Sequence, residues 1–330
     1  MVQIKITKEN SSQRVDKYVR KYLNDAPLSF IYKLFRKKDV KINNHWVKEN
    51  YILSEGDELK IFVTDEQIAE FNKPKKIEDI KTNINIIYED KNILIVNKPK
   101  GLLIHGDISE KRITLSNMVL SYLYNKGEYK NDGKSFIPSP VHRLDRNTSG
   151  VVVFAKNLSA SQTLMEVFKI HENVSKSYLL LACGKVDENG EINAPLLKDE
   201  NEGFVKVGSL ANGAKSAITK YKRISYSSDL SLVEANLITG RTHQLRVHFA
   251  YINHPIIGDQ KYGDFKRNKE FDNKFDYHYQ FLHAYKIAFY KLDGELAYLN
   301  GKVFVARINN KEINILNELG FKNPAETQYF

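Results

Sequence analysis

The residues best placed to do chemistry lie in Val141-His142-Arg143-Leu144-Asp145-Arg146-Asn147-Thr148-Ser149-Gly150. One carboxylate, Asp145, stands between Arg143 and Arg146, just ahead of the apolar run Val151 to Ala155. The run reads as a strand entering a core, and Asn147 to Gly150 read as the turn that feeds it. Asp145 is therefore expected on a loop at a strand edge. Cationic neighbours favour the ionised form of a carboxylate, which suits a nucleophile or base and suits work beside phosphates.

The rest of the chain must position that carboxylate. Its 330 residues leave room for a large domain and a small one. Lys and Arg number 50 against 40 Asp and Glu, and the net charge of +10 favours a polyanionic partner. Nineteen tyrosines and 17 phenylalanines offer stacking surfaces as well as core. Cys183 is the only cysteine, which excludes an intramolecular disulfide and a cysteine-built metal centre. His243 and His248 are five apart and do not form a helical i,i+4 ligand pair. No metal or cofactor is expected. Residues 1–10 carry no apolar secretory core and no run is long enough to span a bilayer, so a cytoplasmic, non-membrane protein is expected.

Val2 to Ile6 alternates like a strand. Ser11 and Ser12 are expected to cap a helix striped by Val15, Tyr18, Val19, Tyr22 and Leu23. Ser29 opens a second helix ending in Arg36-Lys37-Lys38-Asp39. Val40 to Asn43 reads as a strand, Asn43-Asn44 and Ser54 to Asp57 as turns, and Glu58 to Val63 as another strand. Residues 1–65 make a small unit whose Lys33, Arg36, Lys37, Lys38 and Lys41 could meet a phosphate backbone. Residues 66–82, polar and carrying Pro74-Lys75-Lys76, read as a linker. Residues 83–330 form the larger domain. In it Ile84 to Tyr88 and Ile93 to Asn97 pair as strands, and Thr114 to Tyr124 and Ser159 to Ile170 are helical. Asn125 to Phe136 reads as a surface insertion. Tyr178 to Cys183, Ser216 to Tyr221, Ser231 to Leu237, Ala284 to Tyr290 and Gly301 to Ala306 are strands. Gly263 to Asp276 reads as a charged loop. Strands outnumber crossover helices, which predicts an α+β fold with a mixed, mostly antiparallel sheet flanked by helices.

Two resemblances sharpen this. Residues 12–63 resemble the small RNA-binding domain of the ribosomal protein S-four type. Arg14-Val15-Asp16-Lys17-Tyr18, Ser29, Ile31 to Lys38, Val40 to Asn43 and Gly56-Asp57-Glu58-Leu59 carry the likeness. It implies that Arg14 and the second helix face RNA. From Asn83 onward the chain resembles the RluA family of pseudouridine synthases. Asn97-Lys98-Pro99-Lys100-Gly101-Leu102-Leu103-Ile104-His105 resembles the first family motif, and His142-Arg143-Leu144-Asp145 with Thr148-Ser149-Gly150 the central one. Lys176-Ser177-Tyr178 and Thr239-Gly240-Arg241-Thr242-His243-Gln244-Leu245-Arg246-Val247-His248 follow. His254-Pro255-Ile256, Gly258-Asp259 and Phe281-Leu282-His283-Ala284 complete the order. Asn147 departs from the Asp common in relatives.

The resemblance implies isomerisation of uridine in RNA, with the base detached at N1, turned, and rejoined through C5. It implies that Asp145 is the essential carboxylate, acting either by covalent attack or by removing a ribose proton. Arg246 is implied as its partner, and Tyr178 as the tyrosine that stacks on the base and serves in removing the C5 proton. Lys98, His105, Arg143 and Arg241 are implied at phosphates, at the RNA entrance or in loop positioning. The uridine must flip from its stack to reach Asp145. An N-terminal RNA-binding domain is typical of the two ribosomal branches, RluC and RluD, so large-subunit (23S) ribosomal RNA is the expected partner of a monomeric enzyme. The competing readings are a tRNA-directed synthase, a non-catalytic RNA-binding or assembly factor, and a free-nucleoside glycosidase. Retention of Asp145, Tyr178 and Arg246 weighs against the second, and the basic N-terminal module weighs against the last.

Overall fold

In a computed structural model the described residues are 1–71, 77, 80, 83–132, 135–199 and 203–321. The chain divides into two compact units, one of Met1–Ile80 with Val119–Pro138 and Asn157–Ser159, the other of Lys81–Met118, Ser139–Lys156 and Ala160–Phe330.

In the first unit β1 (Val2–Lys5), β2 (Val40–Ile42), β3 (His45–Trp46) and β4 (Glu58–Ile61) form an antiparallel sheet in the order β1-β4-β2-β3. Helices α1 (Val15–Tyr22) and α2 (Leu28–Arg36) bury Val15, Val19, Ile31, Leu34 and Phe35 in one core with Val40, Leu59 and Ile61. Their spacing of three and four keeps each set on one helix face. Asn43 and Asn44 take left-handed φ of 50° and 68°, the geometry a tight hairpin needs. Ser11 and Ser12 do not cap α1. Its N-cap is Arg14, and Ser12 sits in the left-handed region at φ 59°. Helix α2 starts at Leu28 behind Pro27, one residue before Ser29.

The stretch read as a linker opens with a helix, α3 (Asp65–Phe71). Thr64 Oγ1 accepts from Gln67 N at 3.2 Å and Gln67 Oε1 accepts from Thr64 N at 3.0 Å, a capping box that overrides the polar composition. Phe71 then packs on Phe30, with ring centroids 4.9 Å apart. Pro74, Lys75 and Lys76 lie outside the described residues.

The second unit is α+β. Its strands are β5 (Ile86–Glu89), β6 (Ile93–Lys98), β7 (Ser139–Pro140), β8 (Ser149–Ala155), β9 (Val174–Cys183) and β10 (Asn189–Asn193). A small pair, β11 (Leu196–Lys198) and β12 (Val205–Val207), stands apart, and β13 (Ile218–Ser227), β14 (Leu230–Leu237), β15 (Leu282–Phe289) and β16 (Val303–Val305) complete the set. Among the described residues ten of them form one sheet in the order β10-β13-β14-β9-β15-β8-β6-β5, with β16 on β15 and β7 on β8. The β15–β8 contact is parallel and the other pairings are antiparallel, as a mixed, mostly antiparallel sheet requires.

Helices α6 (Gln244–Tyr251), α7 (Phe265–Phe275) and α8 (Asn310–Glu318) belong to this unit with most of α5 (Leu158–Val167), while most of α4 (Leu115–Asn125) is counted in the first unit. Phe271 of α7 and Ile315 and Leu316 of α8 pack in one core with Leu179, Leu181, Leu232, Phe281 and Tyr285 of the sheet side. The region Gly263 to Asp276, read as a loop, is therefore largely helix. Asp264 caps it by accepting from Lys266 N at 3.0 Å and Arg267 N at 3.1 Å, and only Asn268 and Phe271 are buried, too few to mark a helix by pattern. Helix α8 also inserts a charge. Glu312 pairs with Lys100 at 2.8 Å and accepts from the Tyr277 hydroxyl at 2.7 Å, with both charges almost fully buried. Among the described residues no helix is long and apolar enough to cross a membrane.

Candidate active site

Strand β8 is buried along its whole length, and its parallel neighbour β15 sets where the preceding loop lies. Gly150 has φ 117°, and a Cβ there would sit 2.1 Å from the Ala284 carbonyl oxygen. Only glycine lets β8 approach β15 this closely. The loop ahead of it closes with Thr148 N donating to Asp145 O at 3.1 Å. Lys98, at the end of β6, braces the same loop. Its ammonium donates to the carbonyls of Pro99 at 3.0 Å, Leu102 at 2.8 Å and Arg146 at 2.9 Å. Burial pulls its pKa down to about 7, against the upward pull of Asp145. Three carbonyl acceptors are met in full only by the three N–H bonds of the ammonium form.

Of the two roles expected for Lys98, a phosphate contact or loop positioning, the geometry fits the second. The side chain has no exposed surface and its donors are spent on backbone, so it holds the catalytic loop in place. The flanking arginines also behave differently from expectation. Arg146 turns away, donating through Nε to Gly101 O at 3.1 Å. Arg143 is exposed on the wall of the cleft. The cation that meets Asp145 comes from α6, where Arg246 Nη1 donates to Asp145 Oδ2 at 3.1 Å.

Arg246 is held in turn. Its Nε and Nη2 form a two-pronged contact with Asp259 at 2.7 and 2.8 Å. Burial alone would raise the Asp259 carboxyl, but the guanidinium and the Lys261 and Tyr262 amides overcome it and hold the group below the ordinary carboxylate value. The Tyr262 ring lies 5.0 Å from the guanidinium. Gln244 fixes the turn before Arg246. Its Oε1 accepts from Thr239 Oγ1 at 2.7 Å and Arg241 N at 3.0 Å, while its Nε2 donates to Ile218 O at 3.0 Å. The motif Thr239–His248 is thus a braced turn and helix start.

Tyr178 stands on β9 between Ala235 and Ala284 of the neighbouring strands. Burial, reinforced by the charge of Asp145, raises its phenol far above the usual tyrosine range, so the hydroxyl keeps its proton at neutral pH. Asp145, Tyr178 and Arg246 line one cleft of about 640 Å³. Among the described residues lining it, Asp145 is the single carboxylate against Arg143, Lys169, Lys176, Arg241 and Arg246. Such a cleft suits a phosphate-bearing ligand presented to one reactive carboxylate.

Other expected residues divide plainly. Arg241 is exposed at the cleft and donates to Ser216 O at 2.9 Å. His105 is exposed, and its Nδ1 lies 3.3 Å from Ser116 Oγ. The motif histidines serve mostly as structure. His142 accepts from Val153 N at 3.1 Å, His248 bonds the Ala194 carbonyl at 3.0 Å, His254 the Cys183 carbonyl at 2.8 Å and His283 the Ala306 carbonyl at 2.9 Å. At the end of α7 His278 pairs with Asp272 at 2.7 Å and Asp276 at 3.2 Å, an exposed group whose residues are not among those lining the cleft. In the first unit Lys33, Arg36, Lys37 and Lys38 are exposed along and just beyond α2, whereas Arg14 grips Asp16 through two hydrogen bonds of 3.0 Å. Asp259, Tyr262 and His243 were not singled out from the sequence as site residues. The signal for Asp259 was indirect: an arginine that gives one N–H to Asp145 has others left to place, and a buried guanidinium calls for acceptors.

A cationic cleft with one arginine-gripped carboxylate and a buried tyrosine, set on a mixed sheet, has the make-up of an enzyme site for a phosphate-bearing substrate. The sequence model of the RNA pseudouridylate synthase family matches residues 92–251. An "Uncharacterized RNA pseudouridine synthase" of Mycoplasma capricolum is 34% identical over 92% of this chain and 97% of its own. A "Ribosomal large subunit pseudouridine synthase C" of Vibrio parahaemolyticus is 35% identical over 87% of each chain. The solved structure of human RNA pseudouridylate synthase domain containing 4 superposes with a TM-score of 0.58 at 25% identity, covering 72% of this chain and 93% of that one. The chain belongs to the RNA pseudouridine synthase family and is an RNA-isomerising enzyme.

Proposed function

We propose that this enzyme converts specific uridines of large-subunit (23S) ribosomal RNA to pseudouridine, working in the cytoplasm as a monomer, with Asp145 as the reacting carboxylate. The observation that carries the reading is the Asp145–Arg246 contact of 3.1 Å in a cleft with no second carboxylate among its described lining residues. Relatives named for the ribosomal large subunit, aligned over most of both chains, support the substrate.

In this reading the flipped uridine enters with its phosphates toward Arg143, Lys169 and Arg241 and its sugar toward Asp145. Arg246 aims Asp145 at the C1′–C2′ edge, where it either attacks or takes the ribose proton. The Tyr178 ring stacks on the base. Because its phenol is held protonated, Tyr178 gives up that proton only as another group accepts it, so its part in C5 deprotonation is coupled and not that of a resting phenolate. The first unit acts as an RNA-binding domain of the ribosomal protein S-four type, with α2 and its exposed cations against the phosphate backbone.

The test is pseudouridine mapping of ribosomal RNA from cells with the gene, without it, and with Asp145→Asn. The sites lost without the gene should stay lost with Asp145→Asn, while RNA binding by the purified variant persists. Pseudouridine formation by Asp145→Asn within roughly tenfold of the parent would overturn the assignment, because losing the charged base should cost far more. An unchanged ribosomal RNA profile without the gene would redirect the search to tRNA.

A further inference from the structure

His243 precedes α6 in the left-handed region at φ 53°, and its two ring nitrogens face different partners. Nδ1 lies 2.8 Å from the Tyr262 hydroxyl, and Nε2 lies 3.8 Å from Asp145 Oδ2. The hydroxyl oxygen of Tyr262 also accepts from Val205 N at 3.0 Å. A backbone N–H can only donate, so one lone pair of that oxygen is taken and its own proton needs an acceptor. Among the described residues the acceptor at hand is His243 Nδ1. The opposite tautomer would leave the tyrosine proton without that partner and turn the Nε2 lone pair on an anionic carboxylate. Both arguments put the imidazole proton on Nε2. Burial also lowers the His243 pKa, as do the nearby Arg246 and Lys261, against the upward pull of Asp145 and Asp259, which favours the neutral ring.

The result is a donor, Nε2–H, and an acceptor, Asp145 Oδ2, side by side and too far apart to bond each other well. A hydroxyl group fits that pair, because it can accept from one and donate to the other. We propose that His243 Nε2–H and Asp145 Oδ2 together read the 2′-hydroxyl of the target ribose, and that the Tyr262 hydroxyl is the positioning group that fixes the His243 tautomer. The 2′-hydroxyl is both donor and acceptor, and it is the feature that separates RNA from DNA at a given nucleotide. A 2′-deoxy sugar leaves His243 Nε2–H without that acceptor and Asp145 Oδ2 with Arg246 alone, in a half-buried place where an unmet donor costs binding. The inference rests on the reading of Asp145 as the reacting carboxylate.

Two measurements test it. Nitrogen-15 correlation spectra of the intact protein should show the His243 proton on Nε2, and Tyr262→Phe should mix the tautomers. The second compares a ribosomal RNA fragment bearing the mapped target uridine with the same fragment bearing 2′-deoxyuridine there, under single turnover. The half-saturating enzyme concentration should favour the ribose by roughly 10- to 100-fold in the parent. That preference should fall roughly tenfold in His243→Asn and Tyr262→Phe. It should persist in His243→Gln, whose amide nitrogen can stand at the Nε2 position. A parent proton on Nδ1 overturns the inference without touching the role of Asp145. So does an unchanged sugar preference in His243→Asn and Tyr262→Phe. If those variants do not fold, the parent spectrum and His243→Gln decide. Pseudouridine formation by Asp145→Asn removes the reading beneath the inference and is told apart by leaving the tautomer as it is.

Discussion

A single guanidinium does two jobs at this site. Arg246 spends two N–H bonds on Asp259 and one on Asp145, so the carboxylate proposed to react inherits its placement from a second, fully buried one. Lysine cannot reproduce that fork. Arg246→Lys is therefore expected to slow single-turnover isomerisation by roughly 10- to 100-fold, equivalent to about 1.5–3 kcal/mol of charge-assisted hydrogen bonding. Lys38→Ala, on the exposed turn after α2, should leave the rate at saturating enzyme unchanged. Equal rates for Arg246→Lys and the parent would dismiss the clamp. Asp145, Tyr178 and Arg246 could be named from the sequence because each sits inside a motif and the cleft brings them together. Asp259, Tyr262 and His243 could not be given roles, since those depend on which atoms meet after folding. The arginines beside Asp145 in sequence misled for the same reason. Adjacent residues on a loop point apart, and the true partner arrives from a helix far along the chain.

At the scale of elements, the loop carrying Asp145 runs from β7 to β8 and is tied by Lys98 at the end of β6. Lys98→Met removes three hydrogen bonds from backbone carbonyls while relieving a buried charge. The net cost expected is roughly 2–4 kcal/mol of stability, with a fall in activity larger than the change in RNA affinity. Thermal unfolding and single-turnover rates together would check this, and an unaltered melting temperature would count against it. Most strands of the sheet and helices α1 and α2 follow period-2 and period-3.6 patterns and were legible, whereas the short β7 and the exposed β10 were not. Helices α3 and α7 were not. Each shows few buried residues and is declared by its cap, Thr64 or Asp264, so apolar periodicity is the wrong signal for them. Helix α6 was hidden inside a motif read for chemistry.

Over the whole molecule, charge and pH set the working range. If α2 of the first unit meets phosphates, replacing Lys33, Arg36, Lys37 and Lys38 by alanine should flatten the plot of log affinity against log salt. The slope should drop by roughly 0.7–0.9 for each phosphate left without its cation, with single-turnover rates kept at saturation. Binding titrations at several salt concentrations would show it, and an unchanged slope would mark these residues as ordinary solvated charge. Acid should destabilise the protein through buried histidines. Burial, helped by Lys176, lowers His142 to about 3, and burial lowers His283 to about 4 against the pull of Glu312. Both stay neutral when folded. As pH falls below about 6.5 the unfolded chain takes up protons that the folded chain refuses. Stability should then fall by about 1.4 kcal/mol per pH unit for each histidine, until pH passes about 4 for His283 and about 3 for His142. Denaturant titrations from pH 7 to 4.5 would measure the slope, and His142→Gln, which keeps an acceptor for Val153 N, should remove about half of that pair's share.

The buried pair between Lys100 and Glu312 has a consequence for synthesis. Lys100 lies in the first catalytic motif and is made early, but its counter-charge is on α8, the last helix described. Until that helix emerges, closing the core would leave the ammonium with the Tyr277 hydroxyl and the Gln280 carbonyl but no counter-charge, which disfavours early closure around it. A nascent or prematurely ended chain would already carry its RNA-binding cations and Asp145, yet would lack the buried anion needed to close the fold around them.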